Sequence, residues 1–204
     1  MKFNKSSGQA AKMLLALIIV IFVAILIAYL VIKSAEKPVK PPATIDTNTT
    51  PKAIYESTAD DIKVTFQESY NFGSVLRGAN TNNKYQKDLV TTEKYIMVTV
   101  GAQNQGKIDT PQAIWDLGNI IDSDGRNFIA NSYNANPWLP ANNGCGSILK
   151  PDFTPTSCTR IYEVAKGSNG LKLQVFVSKK DKANDKYDTS KKDTIILDLI
   201  VNNK

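Results

Sequence analysis

Histidine is missing from this sequence altogether, and cysteine occurs only twice among its 204 residues. The absence of histidine excludes catalysis by an imidazole base and metal ligation by imidazole. Two thiols alone are too few ligands for a structural zinc site. The sequence also contains no glycine-rich phosphate loop, nucleophile elbow or paired-acid motif. We therefore predict a protein that is not an enzyme and that has no cofactor and no metal.

Charged residues are missing from positions 13–32, and so are proline and glycine. A helix of this length spans about 30 Å, which matches the hydrocarbon core of a bilayer. A buried core helix usually keeps a polar face, and a cleavable signal peptide has a shorter apolar region that ends in small residues. Here Lys33 follows the apolar run directly. The pattern favours an uncleaved, single-pass transmembrane helix.

The orientation of this helix is not decided by positive charge. Three lysines lie on each side of it: Lys2, Lys5 and Lys12 before, and Lys33, Lys37 and Lys40 after. The lack of acidic residues before the helix favours a cytoplasmic segment at residues 1–12. Of the 25 basic side chains, three precede Ile32, whereas all 19 acidic side chains follow it, which leaves +3 for the rest. That excess is too small to indicate nucleic acid as a partner.

Residues 33–60 are predicted to form a linker. They contain four prolines, at positions 38, 41, 42 and 51, together with several threonines. Proline favours extended polyproline geometry, and the segment has too few apolar residues to pack. We expect a spacer that holds the following domain away from the membrane.

Alternation of apolar and polar residues marks residues 61–204 as an all-β domain. Ile62, Val64 and Phe66, for example, alternate with polar neighbours, which is typical of a strand with one buried face. Similar segments are found at 96–102, 113–122, 127–132, 160–164, 171–177 and 195–201. About seven short strands without a competing helical pattern predict a two-layer β-sandwich. Trp115, inside one such segment, is expected in its core.

The order of three motifs resembles a known family. In residues 94–106, apolar and polar residues alternate and the segment ends in Asn104-Gln105-Gly106. Residues 120–128 contain a predicted strand, an Asp-Gly turn and a strand with an aromatic residue. Residues 160–175 contain a strand with an aromatic-Glu-Val sequence, followed by a predicted hairpin. This order is similar to that of the immunoglobulin-like, telokin-like family known as domain of unknown function 4352. The resemblance implies that the domain is an immunoglobulin-like β-sandwich of about seven strands and that the chain is a bacterial or archaeal surface protein anchored to the membrane. It supplies no catalytic residues, and this chain lacks the N-terminal cysteine of lipid-anchored members.

The cysteines Cys145 and Cys158 are predicted to form a disulfide. Their spacing does not fit a redox pair, which normally has two intervening residues. Two buried thiols in a reduced protein are the alternative. Disulfides persist outside the cytosol, so the bond favours an extracytoplasmic domain.

The long irregular segment 131–157 is the candidate partner-binding loop. It contains Tyr133, Trp138 and Leu139 among asparagine, proline and glycine. Long loops often carry function, and aromatic residues are common binding anchors. The alternative is that Trp138 folds back and caps the open end of the sandwich.

Three further segments have simpler interpretations. Asp122-Ser123-Asp124-Gly125 begins like a calcium loop, but it lacks the later ligands and is predicted to be a hairpin turn. Residues 73–87 are predicted to be a mobile loop. Residues 179–193 hold six lysines and four aspartates, which predicts a solvated hairpin loop or, alternatively, a surface for an anionic partner.

Together these patterns predict a membrane-anchored, extracytoplasmic module for protein–protein interaction at the cell envelope. One alternative is a small envelope enzyme or ligand-binding protein that uses Asp116, Asp122 or Asp124. Another is a pilin-like subunit of a surface assembly, which Gly8 suggests, although Met13 stands where such signals have glutamate.

Overall fold

The computed structural model describes residues 52–204, so the predicted transmembrane helix at 13–32 and most of the predicted linker lie outside it. Within this range, no helix has the length and apolar character needed to cross a bilayer. The strands in chain order are β1 Glu56–Ala59, β2 Ile62–Asn71, β3 Val75–Leu76, β4 Leu89–Val90, β5 Lys94–Asn104, β6 Trp115–Ile121, β7 Asn127–Phe128, β8 Thr156–Val164, β9 Lys172–Asp181, β10 Lys186–Asp198 and β11 Asn202–Asn203. Two 3₁₀ turns lie at Gly78–Asn80 and Asn136–Trp138.

The first large sheet, sheet A, has the strand order β1-β2-β5-β8, with β11 also paired to β2. All of its pairings are antiparallel except that of β11 with β2. The second, sheet B, has the order β10-β9-β6-β7 and is antiparallel throughout. Within residues 52–204, the short strands β3 and β4 pair only with each other.

The two large sheets share one apolar core, as in a β-sandwich. Sheet A contributes fully buried residues such as Val64 and Val98, and sheet B contributes Leu173 and Val175. Trp115 is also buried there, and its indole nitrogen donates a hydrogen bond to the Ser147 carbonyl. The prediction of an all-β fold is confirmed for the described residues, and so is the core position of Trp115.

The strands differ from the predicted ones in three places. Strand β1 pairs with β2 inside the segment predicted as linker, so the sheet begins before residue 61. Residues 73–87 hold β3 and a 3₁₀ turn. The lysine-rich segment 179–193 is mostly strand, because β9 continues to Asp181 and β10 starts at Lys186. These strands are short or carry charges on both faces, so alternation does not reveal them.

Candidate partner-binding groove

A second apolar cluster lies on the outer face of sheet A. Tyr95 and Met97 of β5 and Ile161 of β8 alternate with residues that face the shared core, so they point to the opposite side. Tyr95 and Ile161 are nonetheless buried. The outer face of such a sheet is usually polar. Two segments of the chain pack on this apolar face and shield it from solvent.

The first covering segment runs from β3 to β4. Asp88 accepts hydrogen bonds from the backbone nitrogen of Gly78 at 2.9 Å and from the Arg77 guanidinium at 2.7 Å. The bond from Gly78, followed by that from Arg77, lowers the pKa of the Asp88 carboxyl. Gly78 lies against Gln86, and a Cβ atom at position 78 would overlap the Gln86 carbonyl oxygen. The segment is therefore folded tightly upon itself.

The second covering segment is the start of the predicted binding loop. Ala135 is completely buried in the outer cluster, and the 3₁₀ turn that follows has Pro137 at its start. Proline is tolerated in the first turn because its fixed φ is helical and the N–H that it lacks would have no partner within the turn. The Trp138 indole nitrogen donates a hydrogen bond to the Arg77 carbonyl at 2.7 Å. This bond ties the second covering segment to the first.

The two segments leave a groove of about 450 Å³ between them. Met97 and Ile161 line it from sheet A, and Trp138 and Leu139 line it from the loop. Its remaining lining residues are Phe72, Asn80, Thr81, Asn82, Pro137, Pro140, Ala141 and Lys204. Lys204 is the one charged residue among these lining residues. The groove therefore combines apolar side chains with the amides of Asn80 and Asn82, the Thr81 hydroxyl and the Lys204 ammonium, and polar and apolar surface contribute about equally to its lining.

Two of the three predicted site residues, Trp138 and Leu139, lie together in this groove. Tyr133 does not line it and is 91% exposed. Trp138 does fold back onto the domain, but it packs over the outer face of sheet A instead of capping the end of the sandwich. Sequence reasoning missed Phe72, Met97 and Ile161. The unbroken apolar run from Tyr95 to Val98 is the pattern that indicates a strand buried on both faces.

The predicted disulfide between Cys145 and Cys158 is present, with the two Cα atoms 4.5 Å apart. Next to it, Asn143 exchanges two hydrogen bonds of 2.8 Å with the backbone of Thr159. These contacts fix the second half of the loop to β8. Asp116 has an oxygen within 4.8 Å of both sulfur atoms. Disulfide-bonded sulfur offers no thiolate, so this cluster does not suit a metal ion.

The acidic residues of the alternative enzyme hypothesis all have structural partners. Asp116 receives three hydrogen bonds from Arg160, and Asp124 pairs with Arg126 at 3.0 Å. Asp122 has a buried side chain that accepts hydrogen bonds from Ser168 and from both the backbone and the side chain of Arg126.

The Asp122 carboxyl is held in its charged form. Burial alone, the largest influence, would raise its pKa, but the hydrogen bonds from Ser168 and Arg126 outweigh it and lower the pKa to about 2. Its Oδ1 atom also accepts the backbone N–H of Asp124. The turn joins β6 to β7 as an antiparallel hairpin, which confirms the predicted hairpin turn.

No protein-family model matches this chain, and neither does any curated protein. Among solved structures, the chain is similar to a "putative lipoprotein" from Bacillus subtilis, with 14% sequence identity and a TM-score of 0.43 over 72% of this chain. It is also similar to a functionally unknown protein from Listeria monocytogenes, with 8% identity and a TM-score of 0.42, over 72% of this chain and 82% of that one. The chain spans only 39% of the Bacillus structure.

Proposed function

We propose that this chain is a membrane-anchored, extracytoplasmic module that binds a protein of the cell envelope through the groove on sheet A. The observation that carries the proposal is the apolar outer face of that sheet, which its two covering segments leave partly open. An open groove that presents apolar side chains, with the Trp138 indole in its wall, is the kind of surface into which a partner inserts an anchor side chain.

The chemistry of the groove supports a protein partner. Met97 and Leu139 offer adaptable apolar contacts, and Trp138 offers a rigid one that its hydrogen bond to Arg77 holds in place. Asn80 and Asn82 at the border carry amide groups that both donate and accept hydrogen bonds, which suits a polypeptide backbone. A volume of about 450 Å³ accommodates one or two large side chains.

Two observations support the proposal that the domain lies outside the cytoplasm. The first is the Cys145–Cys158 disulfide, because such bonds persist in oxidising compartments. The uncharged residues 13–32 have the length of a membrane span. The resemblance to domain of unknown function 4352, an immunoglobulin-like family of surface proteins, agrees with both. We include membership of that family in the proposal.

Site-specific photocrosslinking in intact cells tests the groove. A photoreactive amino acid at position 139 should capture a defined partner, and Trp138→Ala should abolish the capture. Position 133, in the same loop but outside the groove, is the matched control, and position 129 on the exposed stretch after β7 is the second. Equal capture from all three positions, or capture that survives Trp138→Ala, would show that the groove is not the binding site.

The topology is tested separately on intact cells. Protease added outside should release a fragment that contains residues 52–204, and thiol reagents should label Cys145 and Cys158 only after reduction. Protection of the domain from protease would place it inside and overturn the proposed orientation, whatever the crosslinking shows.

A further inference from the structure

Three steps in the sequence place an asparagine or aspartate directly before a glycine. They are Asp124-Gly125, Asn143-Gly144 and Asn169-Gly170. In such a step the glycine nitrogen can attack the side-chain carbonyl carbon of the residue before it, and glycine has no side chain to hinder the approach. The attack closes a succinimide ring. Whether it occurs in the folded protein depends on what holds the glycine nitrogen and the preceding side chain.

At two of these steps the glycine N–H is held by a hydrogen bond. The Gly125 N–H donates to the Asp122 carbonyl at 3.0 Å. The Gly144 N–H donates to the Ser157 carbonyl at 2.9 Å. The side chain of the asparagine before Gly144 is also fixed, because it donates to the Thr159 carbonyl and accepts the Thr159 N–H, each at 2.8 Å. Ring closure at either step would require these hydrogen bonds to break.

The third step, Asn169-Gly170, is open to attack. Both residues are exposed, in the connection between β8 and β9. Within residues 52–204, neither the Gly170 N–H nor the Asn169 side-chain nitrogen donates a hydrogen bond. The Asn169 side-chain oxygen accepts the Ser123 hydroxyl at 2.5 Å, which polarises the carbonyl group towards a nucleophile. The attacking nitrogen and the leaving nitrogen are therefore both unhindered.

We propose that Asn169 is a site of spontaneous deamidation, independently of the groove on sheet A. The Gly170 nitrogen gives its proton to water or hydroxide and forms a bond to Cγ of Asn169. The bond from Cγ to the side-chain nitrogen breaks, and this nitrogen takes a proton from solvent and leaves as ammonia. Water then opens the succinimide ring at either carbonyl carbon, which gives aspartate or isoaspartate at position 169.

The isoaspartate product should loosen the contact between the β8–β9 connection and the β6–β7 hairpin. Ser123, in the turn of that hairpin, binds Asn169 twice: its N–H donates to the main-chain carbonyl at 3.0 Å, and its hydroxyl donates to the side-chain oxygen. In isoaspartate the main chain runs through the former side chain and is one carbon longer. The two oxygens that Ser123 contacts therefore exchange roles, whereas ordinary aspartate keeps both acceptors in place.

The test follows the full chain in detergent micelles during incubation in mildly alkaline buffer, by peptide mapping and mass spectrometry. Asn169 should convert about tenfold faster than Asn143, or more, because ring closure at Asn143 must first break hydrogen bonds; tenfold corresponds to about 1.4 kcal/mol of activation free energy. Electron-based fragmentation distinguishes aspartate from isoaspartate at position 169.

The same chain, reduced and unfolded in urea, is the internal control. Both asparagine–glycine steps then lack tertiary contacts, so they should convert at similar rates. Equal rates at the two steps in the folded chain, or faster conversion of Asn143, would overturn the proposal. So would an unmodified Asn169 in the folded chain at a time when the unfolded chain has reacted at both steps.

Two variants test the consequence for the domain. Asn169→Gln would have to close a larger ring, so its melting temperature should stay constant during the incubation. The wild type should melt at progressively lower temperature as isoaspartate accumulates, whereas fresh Asn169→Asp should melt near the unmodified wild type. A constant wild-type melting temperature despite conversion would overturn the proposed loosening. Crosslinking from the groove should not change, because neither Asn169 nor Gly170 lines it, so the two proposals fail separately.

Discussion

Arg160 of β8 and Asp116 of β6 connect the two sheets through a bidentate ion pair. The Nη2 atom of Arg160 lies 2.7 Å from Oδ2 and 2.8 Å from Oδ1 of Asp116, and the Nε atom lies 3.3 Å from Oδ1, so two nitrogens contact the two oxygens. The pair is only partly exposed, with 22% of the arginine side chain and 41% of the aspartate side chain accessible. It lies close to the Cys145–Cys158 disulfide, because Asp116 approaches both sulfur atoms. A non-covalent and a covalent link therefore meet at the same side of the sandwich.

Removal of this ion pair should destabilise the domain modestly. A double-mutant cycle with Asp116→Ala and Arg160→Ala should give a coupling energy of about 1 kcal/mol, the upper end for partly exposed pairs, because the geometry is bidentate. Urea unfolding of the four proteins measures it. A coupling energy near zero would show that solvent screens the pair completely. Groove crosslinking should persist in both single variants, since neither residue lines the groove.

Loss of the disulfide should lower the free energy of unfolding by more than loss of the Arg160–Asp116 ion pair does. Its cysteines are 13 positions apart, and a loop of this size is worth about 3 kcal/mol in the chain-entropy model. The free energy of unfolding of the wild type should fall by that amount when reductant is added. A Cys145→Ala, Cys158→Ala variant should show the lower stability with and without reductant. If reductant lowered the stability of this variant as well, the effect would not come from the bond.

Strands with a clear apolar face could be predicted from the sequence, and short or polar ones could not. The alternation in β2 and β5 is visible because the side chains that meet the core must be apolar. Strand β1, Glu56–Ala59, has no such pattern, and it is a strand because β2 offers it a ladder of hydrogen bonds. Alternation within a segment carries no information about a partner strand elsewhere in the chain.

The groove could be predicted only in part for a similar reason. Composition points to Trp138 and Leu139, since large apolar residues in a long loop stand out. The opposite side is formed by Phe72 and Asn80, which lie about sixty positions earlier in the chain. That these segments meet depends on how the covering segments pack on sheet A. The hydrogen bond from the Trp138 indole nitrogen to the Arg77 carbonyl joins the two segments, and no local sequence motif predicts it.

Acid should weaken the turn that Asp122 organises. Its pKa in the folded protein is about 2, below the value of about 3.9 expected in the unfolded chain. Because the pKa is lower in the folded state, the charged Asp122 carboxylate stabilises the folded protein fully above about pH 4. This stabilisation is lost as the pH falls towards about 2. The melting temperature of Asp122→Asn should therefore be lower at neutral pH and should change less than that of the wild type across this interval.

The control for this pH dependence is Asp109→Asn, since Asp109 is an exposed acid in the loop before β6. Between about pH 2 and pH 4, the interval between the folded and unfolded pKa values of Asp122, the melting temperature of Asp109→Asn should change with pH as that of the wild type does. Scanning calorimetry over this range measures both variants. Parallel curves for Asp122→Asn and the wild type would mean that the Arg126 and Ser168 contacts do not hold the carboxylate in solution.

Substitution of Gly78 should displace one wall of the groove, because the structure has no space for a side chain at this position. A Cβ atom would overlap the Gln86 carbonyl oxygen, so Gly78→Ala must displace the segment between β3 and β4. The neighbouring Arg77 carbonyl accepts the hydrogen bond of Trp138, so the indole should move with it. We expect a loss of stability of about 1–3 kcal/mol, typical of overpacking, together with a changed Trp138 emission. A Trp115→Phe background leaves Trp138 as the single tryptophan.

Gly167→Ala is the matched control for this change. A Cβ atom at position 167 would meet nothing within 4 Å beyond its own chain neighbours, and the backbone there is not left-handed, so the same substitution should be nearly silent. Capture of a partner from position 139 should fall in Gly78→Ala and persist in Gly167→Ala, because only the first change moves the wall. If Gly78→Ala left both the emission and the capture unchanged, the covering segment would be too compliant to define the groove, and binding would have to depend on Trp138 and Leu139 alone.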